Sequence, residues 1–288
     1  MTHISFSALT HPNQATGRHA NEDAFLICSG VRQGAQAISG KVSTDQPRLF
    51  AVSDGLHVSP QASRASRLLL EALEELFRET PDQPARMKLL HLHDQYCAHA
   101  IRRPQWAGMA ATLVAAEVRG NHVLIYYVGD SPAWTIRGNH ARRLTRDHTI
   151  LNAMIEGGEA ASDQAGRLAT IYDGLDRYFA AFPGEIRPEH EECNVDMADG
   201  DILLLASDGL SVLSGDQIAS SVSDDLDAMA RNLLGAAVEK GSDDDITLIL
   251  LRFSFESDPS IRNEAIAKTR LRSTVVHTAT TSEATSQG

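Results

Sequence analysis

Residues 202–210 read ILLLASDGL, and residues 49–56 read LFAVSDGL. Each is an apolar run that stops at Ser-Asp-Gly-Leu. A buried run of that length ending in Asp-Gly reads as a strand that delivers into a tight turn. Two strands, far apart in the chain, therefore each bring a carboxylate to a rim: Asp54 and Asp208. Asp-Gly alone is ordinary turn chemistry. The repeat, and the acidic residues around it, ask for more.

Working outward, His3–Leu9 and Asp23–Ser29 read as strands before the first copy, and the Gly-, Ser- and Gln-rich stretch 30–47 as a connection or hairpin tip. Residues 62–78 carry apolar side chains at helical spacing, with Pro81 just beyond. Residues 84–102 repeat the pattern and stop at Pro104. Three runs follow, 110–118, 122–128 and 133–136, with Gly-Asn pairs at two breaks, which predicts an antiparallel meander. A short helix is expected over 149–156. Residues 157–190 have no clear period and read as a loop-rich flap. After the second copy, 215–221 and 226–239 look helical, and ITLILLRF at 246–253 is a last buried strand. Asp224, Asp225 and Asp227 read as caps at a helix start. The order is not a regular βαβ alternation, so antiparallel sheets with helices in outer layers fit best. The main unit is expected to span 1–255. The Ser-, Thr- and Ala-rich tail, 256–288, is expected to be partly helical or disordered.

Bulk properties narrow the partners. A net charge of −12 opposes a nucleic-acid footprint, which needs basic stripes, and opposes an anionic membrane surface. No stretch approaches the ~20 apolar residues of a membrane span, and the N-terminus lacks the basic and apolar regions of a secretory signal. Three cysteines without a CxxC predict mostly buried thiols in a reducing, cytoplasmic compartment.

Four acidic stations sit at predicted strand ends: Glu22-Asp23, Asp54, Asp208 and Asp243-Asp244-Asp245. If they share one rim, repulsion is serious. Two like charges ~4 Å apart cost about 1 kcal/mol in water and about 4 kcal/mol at a dielectric near 20. Several such pairs rival a domain stability of roughly 5–15 kcal/mol. Hard divalent cations, Mg²⁺ or Mn²⁺, would remove that cost. Two such ions are a known device for attacking phosphate esters. His93 and Cys97, four apart on a helix, are too few for zinc and read as solvated or partly buried side chains.

Seven ordered pieces carry a resemblance: G-R-H-A-N-E-D-A-F at 17–25, A-V-S-D-G-L at 51–56, G-M-A-A-T-L-V-A-A at 108–116, V-G-D-S at 128–131, L-T-R-D-H-T at 144–149, G-D-I-L-L-L-A-S-D-G-L at 200–210 and D-D-I-T at 244–247. The series resembles the PPM family of metal-dependent Ser/Thr protein phosphatases (protein phosphatase type 2C) in its bacterial form. That resemblance implies an α+β fold, a four-layer αββα sandwich of two mostly antiparallel sheets flanked by helices. It implies two Mn²⁺ or Mg²⁺ ions and an optional third. Asp54 would bridge the two ions, with the Gly55 carbonyl and Glu22 completing the ligands of one. Asp208 and Asp244 would hold the second, and Asp130 the optional third. Asp23 would bind a metal-coordinated water, and Arg18 would grip the substrate phosphate. The implied reaction is hydrolysis of phosphoserine or phosphothreonine by a metal-activated water, by a monomer opposing a bacterial Ser/Thr kinase.

The chain also departs from the family pattern. Leu56-His57-Val58 stand where the family often has x-G-G; Leu56 occupies the place, directly after the Gly, where eukaryotic members carry a His proposed as general acid, so His57 falls one place late and is expected to point elsewhere. Pro132 replaces an Arg, Ala110-Ala111 replace Gly-Thr or Gly-Ser, and Asp245 falls where Asn is usual. These departures keep open a phosphoprotein-binding regulator that turns over weakly. A two-metal phosphodiesterase or nuclease is a third reading, opposed by the acidic surface.

Overall fold

In the computed structural model, described over residues 2–13, 20–28, 30–160, 174–182 and 187–255 (backbone alone at 100 and 101), the two Ser-Asp-Gly-Leu strands enter different sheets. The strands are β1 (Thr2–His11), β2 (Asp23–Ile27), β3 (Gly30–Gln33), β4 (Gln36–Ser43), β5 (Arg48–Asp54), β6 (Ala110–Ala111), β7 (Leu113–Arg119), β8 (His122–Val128), β9 (Ala133–Arg137), β10 (His140–Arg143), β11 (Phe179–Ala180), β12 (Glu191–Asp196), β13 (Ile202–Ala206) and β14 (Ile246–Phe255). One sheet runs β12-β8-β7-β5-β2-β3 and the other β10-β9-β13-β14-β1-β4, with β11 paired to β6 apart from both. The helices are α1 (Ala62–Glu79), α2 (Ala85–Arg102), α3 (Ile150–Glu156), α4 (Gly215–Ser220) and α5 (Leu226–Glu239).

Strand alternation sorts the layers. On β5, Leu49 and Ala51 join the core cluster of α1 and α2, where Leu69, Leu73 and Leu92 are buried. Phe50 and Val52 face the other way, and the Phe50 ring lies 6.3 Å from Phe6 on β1 of the second sheet. On β13 and β14, Ile202, Leu204, Leu248 and Leu250 pack with Ile218, Met229 and Leu233 of α4 and α5. The result is helices, sheet, sheet, helices: the expected α+β sandwich. Each fully buried Leu or Phe contributes roughly 1.5–3 kcal/mol. The spacing of Ala65, Leu69, Leu70, Leu73 and Leu76 gives α1 its buried stripe, and the helix ends at Thr80, whose backbone leaves the helical region (φ −135°, ψ 62°). Asp225 caps α5 as expected, accepting from the N–H groups of Asp227 and Ala228.

Several expectations need correction. The stretch 30–47 is not a bare connection: it carries β3 in one sheet and β4 in the other. Both are edge strands with mostly exposed or half-buried residues, so no apolar alternation marks them. The meander is two hairpins in different sheets, because the chain crosses between layers at 129–132. Strand β12, outside any predicted element, closes one sheet edge against β8. Of the three cysteines only Cys97 is buried, and Cys28 is exposed. The expectations for Arg18, for half of the flap (161–173 and 183–186) and for the tail (256–288) fall outside the described residues.

Candidate active site

The ladder between β2 and β5 sets Asp23 directly opposite Asp54. Parity then fixes their direction. Ala24, Leu26 and Ala51 face the α1–α2 layer, so Asp23 and Asp54 face the space between the sheets. From the other sheet, β13 ends at Ala206, one residue before Ser207, and β14 begins after Asp245. The Ser207 hydroxyl donates to Asp23 Oδ2 at 2.7 Å, and the Thr247 N–H donates to Ser207 Oγ at 2.9 Å. A single short chain of hydrogen bonds thus joins the two sheets at their acidic end.

The glycines of the two Ser-Asp-Gly-Leu stretches share a cause, which is not a left-handed turn. Among the described glycines with positive φ, neither Gly55 nor Gly209 appears. A Cβ at Gly55 would stand 2.0 Å from the Ala62 carbonyl oxygen, and one at Gly209 would stand 2.1 Å from that of Asp245. Close backbone approach requires Gly at both positions. The first stretch continues as an extended bridge from Gly55 to Ala111, whereas the second turns into a 3₁₀ turn over Asp208–Leu210.

Glu22, Asp54, Gly55, Asp130, Asp208 and Asp244 all line one cleft of about 450 Å³. Glu22 is fixed through its backbone. Its N–H donates to Asp245 Oδ2 at 2.6 Å, and its carbonyl accepts from Gly55 N at 3.0 Å and Ser66 Oγ at 2.5 Å. Asp245 also accepts the Asn13 N–H at 2.7 Å. Of Asp244, the ligand the resemblance implies, and its neighbour Asp245, only Asp244 lines the cleft; Asp245 is buried as a tie. Three further polar groups escaped sequence reasoning. Thr112 exchanges backbone and side-chain bonds with Asp54 at 2.8 and 3.1 Å, and its hydroxyl meets that of Ser131 at 2.7 Å. The buried His148 accepts the Gly129 N–H at 3.1 Å and so braces the turn carrying Asp130. Burial, then Arg177, holds the His148 imidazole below its usual pKa. Their signals were Thr112 and Ser131 inside the quoted motifs, and His148 in L-T-R-D-H-T.

The site is electrostatically loaded. Burial, opposed by Ser207 and reinforced by Asp245, pushes the Asp23 carboxyl up to about 8. Burial and the neighbouring Asp208 push Asp130 to about 8 as well. Asp54 lies well above the usual carboxylate range, through burial first and then Asp23, Asp208, Asp244 and Asp130. Asp23 Oδ1 is buried without a hydrogen-bond partner among the described residues. Hard oxygen donors, crowded together at Asp54, are what a divalent cation answers. As the side chains stand, no group of three His, Cys, Asp or Glu among the described residues is arranged to hold an ion. Contrary to expectation, His57 turns into the cleft, and its Nδ1 lies 3.0–3.1 Å from both Glu22 carboxylate oxygens. The donor set fits the ions in chemistry.

A fold with two facing antiparallel sheets, outer helices and an acidic cleft between the sheet ends is the architecture of a phosphatase class. The chain belongs to the protein phosphatase 2C family, whose model matches residues 31–244. It is similar to the serine/threonine phosphatase stp of Listeria welshimeri, 25% identical over 249 residues, covering 81% of this chain and 90% of that one. Its fold is similar to that of the serine/threonine phosphatase Stp1 from Staphylococcus aureus, with a TM-score of 0.71 at 21% identity, covering 88% and 95%. It also resembles the catalytic domain of the phosphatase PstP solved in complex with two manganese ions, with a TM-score of 0.63 at 23% identity, covering 88% and 100%.

Proposed function

We propose that the chain is a metal-dependent protein-serine/threonine phosphatase, with the catalytic unit in 1–255. The observation that carries this reading is the convergence of Glu22, Asp54, Asp130, Asp208 and Asp244 on one cleft, with Asp23 buried behind it. Asp54, with the Gly55 carbonyl and Glu22, would hold one Mn²⁺ or Mg²⁺; Asp208 and Asp244 would hold a second, and Asp130 a third. Such ions, when bound, neutralise the carboxylates and lower the pKa of a water to the neutral range. The chain's own residues prepare that centre. Ser207 holds one Asp23 oxygen, leaving Oδ1 to accept from a water. Asp245 and Ser66 fix the Glu22 backbone, and Thr112 fixes that of Asp54. Arg18 would supply a planar fork for the substrate phosphate.

The substrate class is supported by the names of the relatives, and the role opposite a Ser/Thr kinase follows from the same family reading. Monomeric action in the cytoplasm completes the proposal. Three free cysteines support the reducing compartment, and no described helix is long and apolar enough to cross a membrane. A weakly active phosphoprotein-binding regulator has one observation in its favour: the capture of Glu22 by His57.

One assay separates these readings. p-Nitrophenyl phosphate hydrolysis should require added Mn²⁺ or Mg²⁺ and collapse in Asp208→Asn. Robust turnover in excess EDTA contradicts the metal-dependent reading. Phosphopeptide binding with no turnover at saturating Mn²⁺ favours the regulator.

A further inference from the structure

The cleft carries an apolar rim that phosphate chemistry does not use. Val58 is 94% exposed, against 54% for Val238, the next most exposed large apolar side chain among the described residues. It stands on the link between β5 and α1, where the family pattern has Gly. Leu56 and Val58 line the cleft from that link, and Leu175 and Tyr178 line it from a separate segment. Both segments are pinned. Leu56 N donates to the Ala110 carbonyl at 2.9 Å, and Ser59 Oγ accepts from Ala110 N at 3.1 Å. On the other side, Ile150 N donates to Gly174 O at 2.9 Å and Asp176 N to His148 O at 2.8 Å. The apolar groups are therefore held out at the mouth by backbone bonds.

Apolar surface fixed beside a reaction cleft is stabilised by whatever covers it. The site's own chemistry names the occupant, because a phosphorylated peptide must lay its neighbouring residues across this mouth. The geometry points to a specificity rim: Val58, with Leu56, Leu175 and Tyr178, receives an apolar side chain adjacent to the phosphoresidue. The inference rests on the phosphatase reading given above.

The test uses the full chain with Mn²⁺ and phosphothreonine peptides bearing Leu, Ser, Asp or Lys beside the phosphoresidue. Leu should be preferred to Ser by about tenfold in kcat/KM, the lower range for an apolar contact in a partly open site. In Val58→Ser and in Tyr178→Ser the preference should fall below about threefold, through KM. Turnover of p-nitrophenyl phosphate, which carries no neighbouring residue, should stay unchanged in Val58→Ser. Equal rates for the Leu and Ser peptides, a preference for Asp or Lys, or a Leu preference retained in both variants overturns the rim. Absence of turnover of every ester, p-nitrophenyl phosphate included, overturns the phosphatase reading and the rim with it.

Discussion

At the scale of single residues, Asp245 shows how one departure from a family pattern changes the physics. Its two oxygens accept separate backbone N–H groups, from Asn13 at 2.7 Å and Glu22 at 2.6 Å. An Asn offers one acceptor and one donor, so its amide would face an N–H with an N–H. Although Asn is usual at this register in the family, Asp245→Asn should lose about 1–3 kcal/mol of stability by urea unfolding. An unchanged midpoint would show that the carboxylate is dispensable. Asp23 gives a pH signature. Its carboxyl titrates near 3.8 when unperturbed and near 8 in the fold. The folded state therefore keeps a proton that the unfolded chain releases, and stability from this group is lost as pH rises from about 4 to about 8. In EDTA, wild type should lose Tm relative to Asp23→Asn between pH 5 and pH 8. A difference that is flat or of opposite sign contradicts the buried, proton-retaining carboxyl.

At the scale of elements, close approach and one buried ion pair set the constraints. The 3₁₀ turn after β13 lies against the start of β14, with 2.1 Å between a Cβ at Gly209 and the Asp245 carbonyl oxygen. Gly209→Ala should destabilise by about 1–3 kcal/mol as the two segments separate. Gly235, inside α5, has open space around it, and Gly235→Ala should instead stabilise by about 0.5–1 kcal/mol. Parallel urea unfolding of the two variants reads both signs. Helix α2 is tied to β7 by Lys88, fully buried, whose Nζ lies 2.7 Å from Glu117 Oε1. Tyr126 donates to the same carboxylate at 3.0 Å. Lys88→Ala strands Glu117 and should cost about 3–5 kcal/mol in unfolding free energy, toward the lower end because Tyr126 remains. A loss below about 1 kcal/mol would place the pair in effective contact with solvent.

At the scale of the molecule, legibility followed burial. The runs at β5, β13 and β14 were readable because both faces of their sheets are covered, which makes the strands continuously apolar. The same strands end at the site, so Asp54, Asp208 and Asp244 came with them. Strands β3, β4, β10 and β12 lie at sheet edges with no fully buried residue; β3 and β4 show no apolar alternation, and β10 and β12 alternate half-buried with exposed positions but over too few apolar side chains to mark a strand. The crossing at 129–132 was missed because sequence records turns and not which sheet a strand joins. His57 was misread for a related reason: one register step decides direction only inside a regular strand, and His57 lies beyond β5.

The central claim is that acidic strand ends from two sheets meet to hold divalent cations. Isothermal titration of Mn²⁺ into the metal-stripped full chain tests it most directly, beside Asp54→Asn. We expect saturable binding of at least two ions per wild-type chain, and loss of both sites or a large weakening of them in Asp54→Asn, since that carboxylate would serve both. No saturable binding to wild type, or the same isotherm in Asp54→Asn, would contradict the claim.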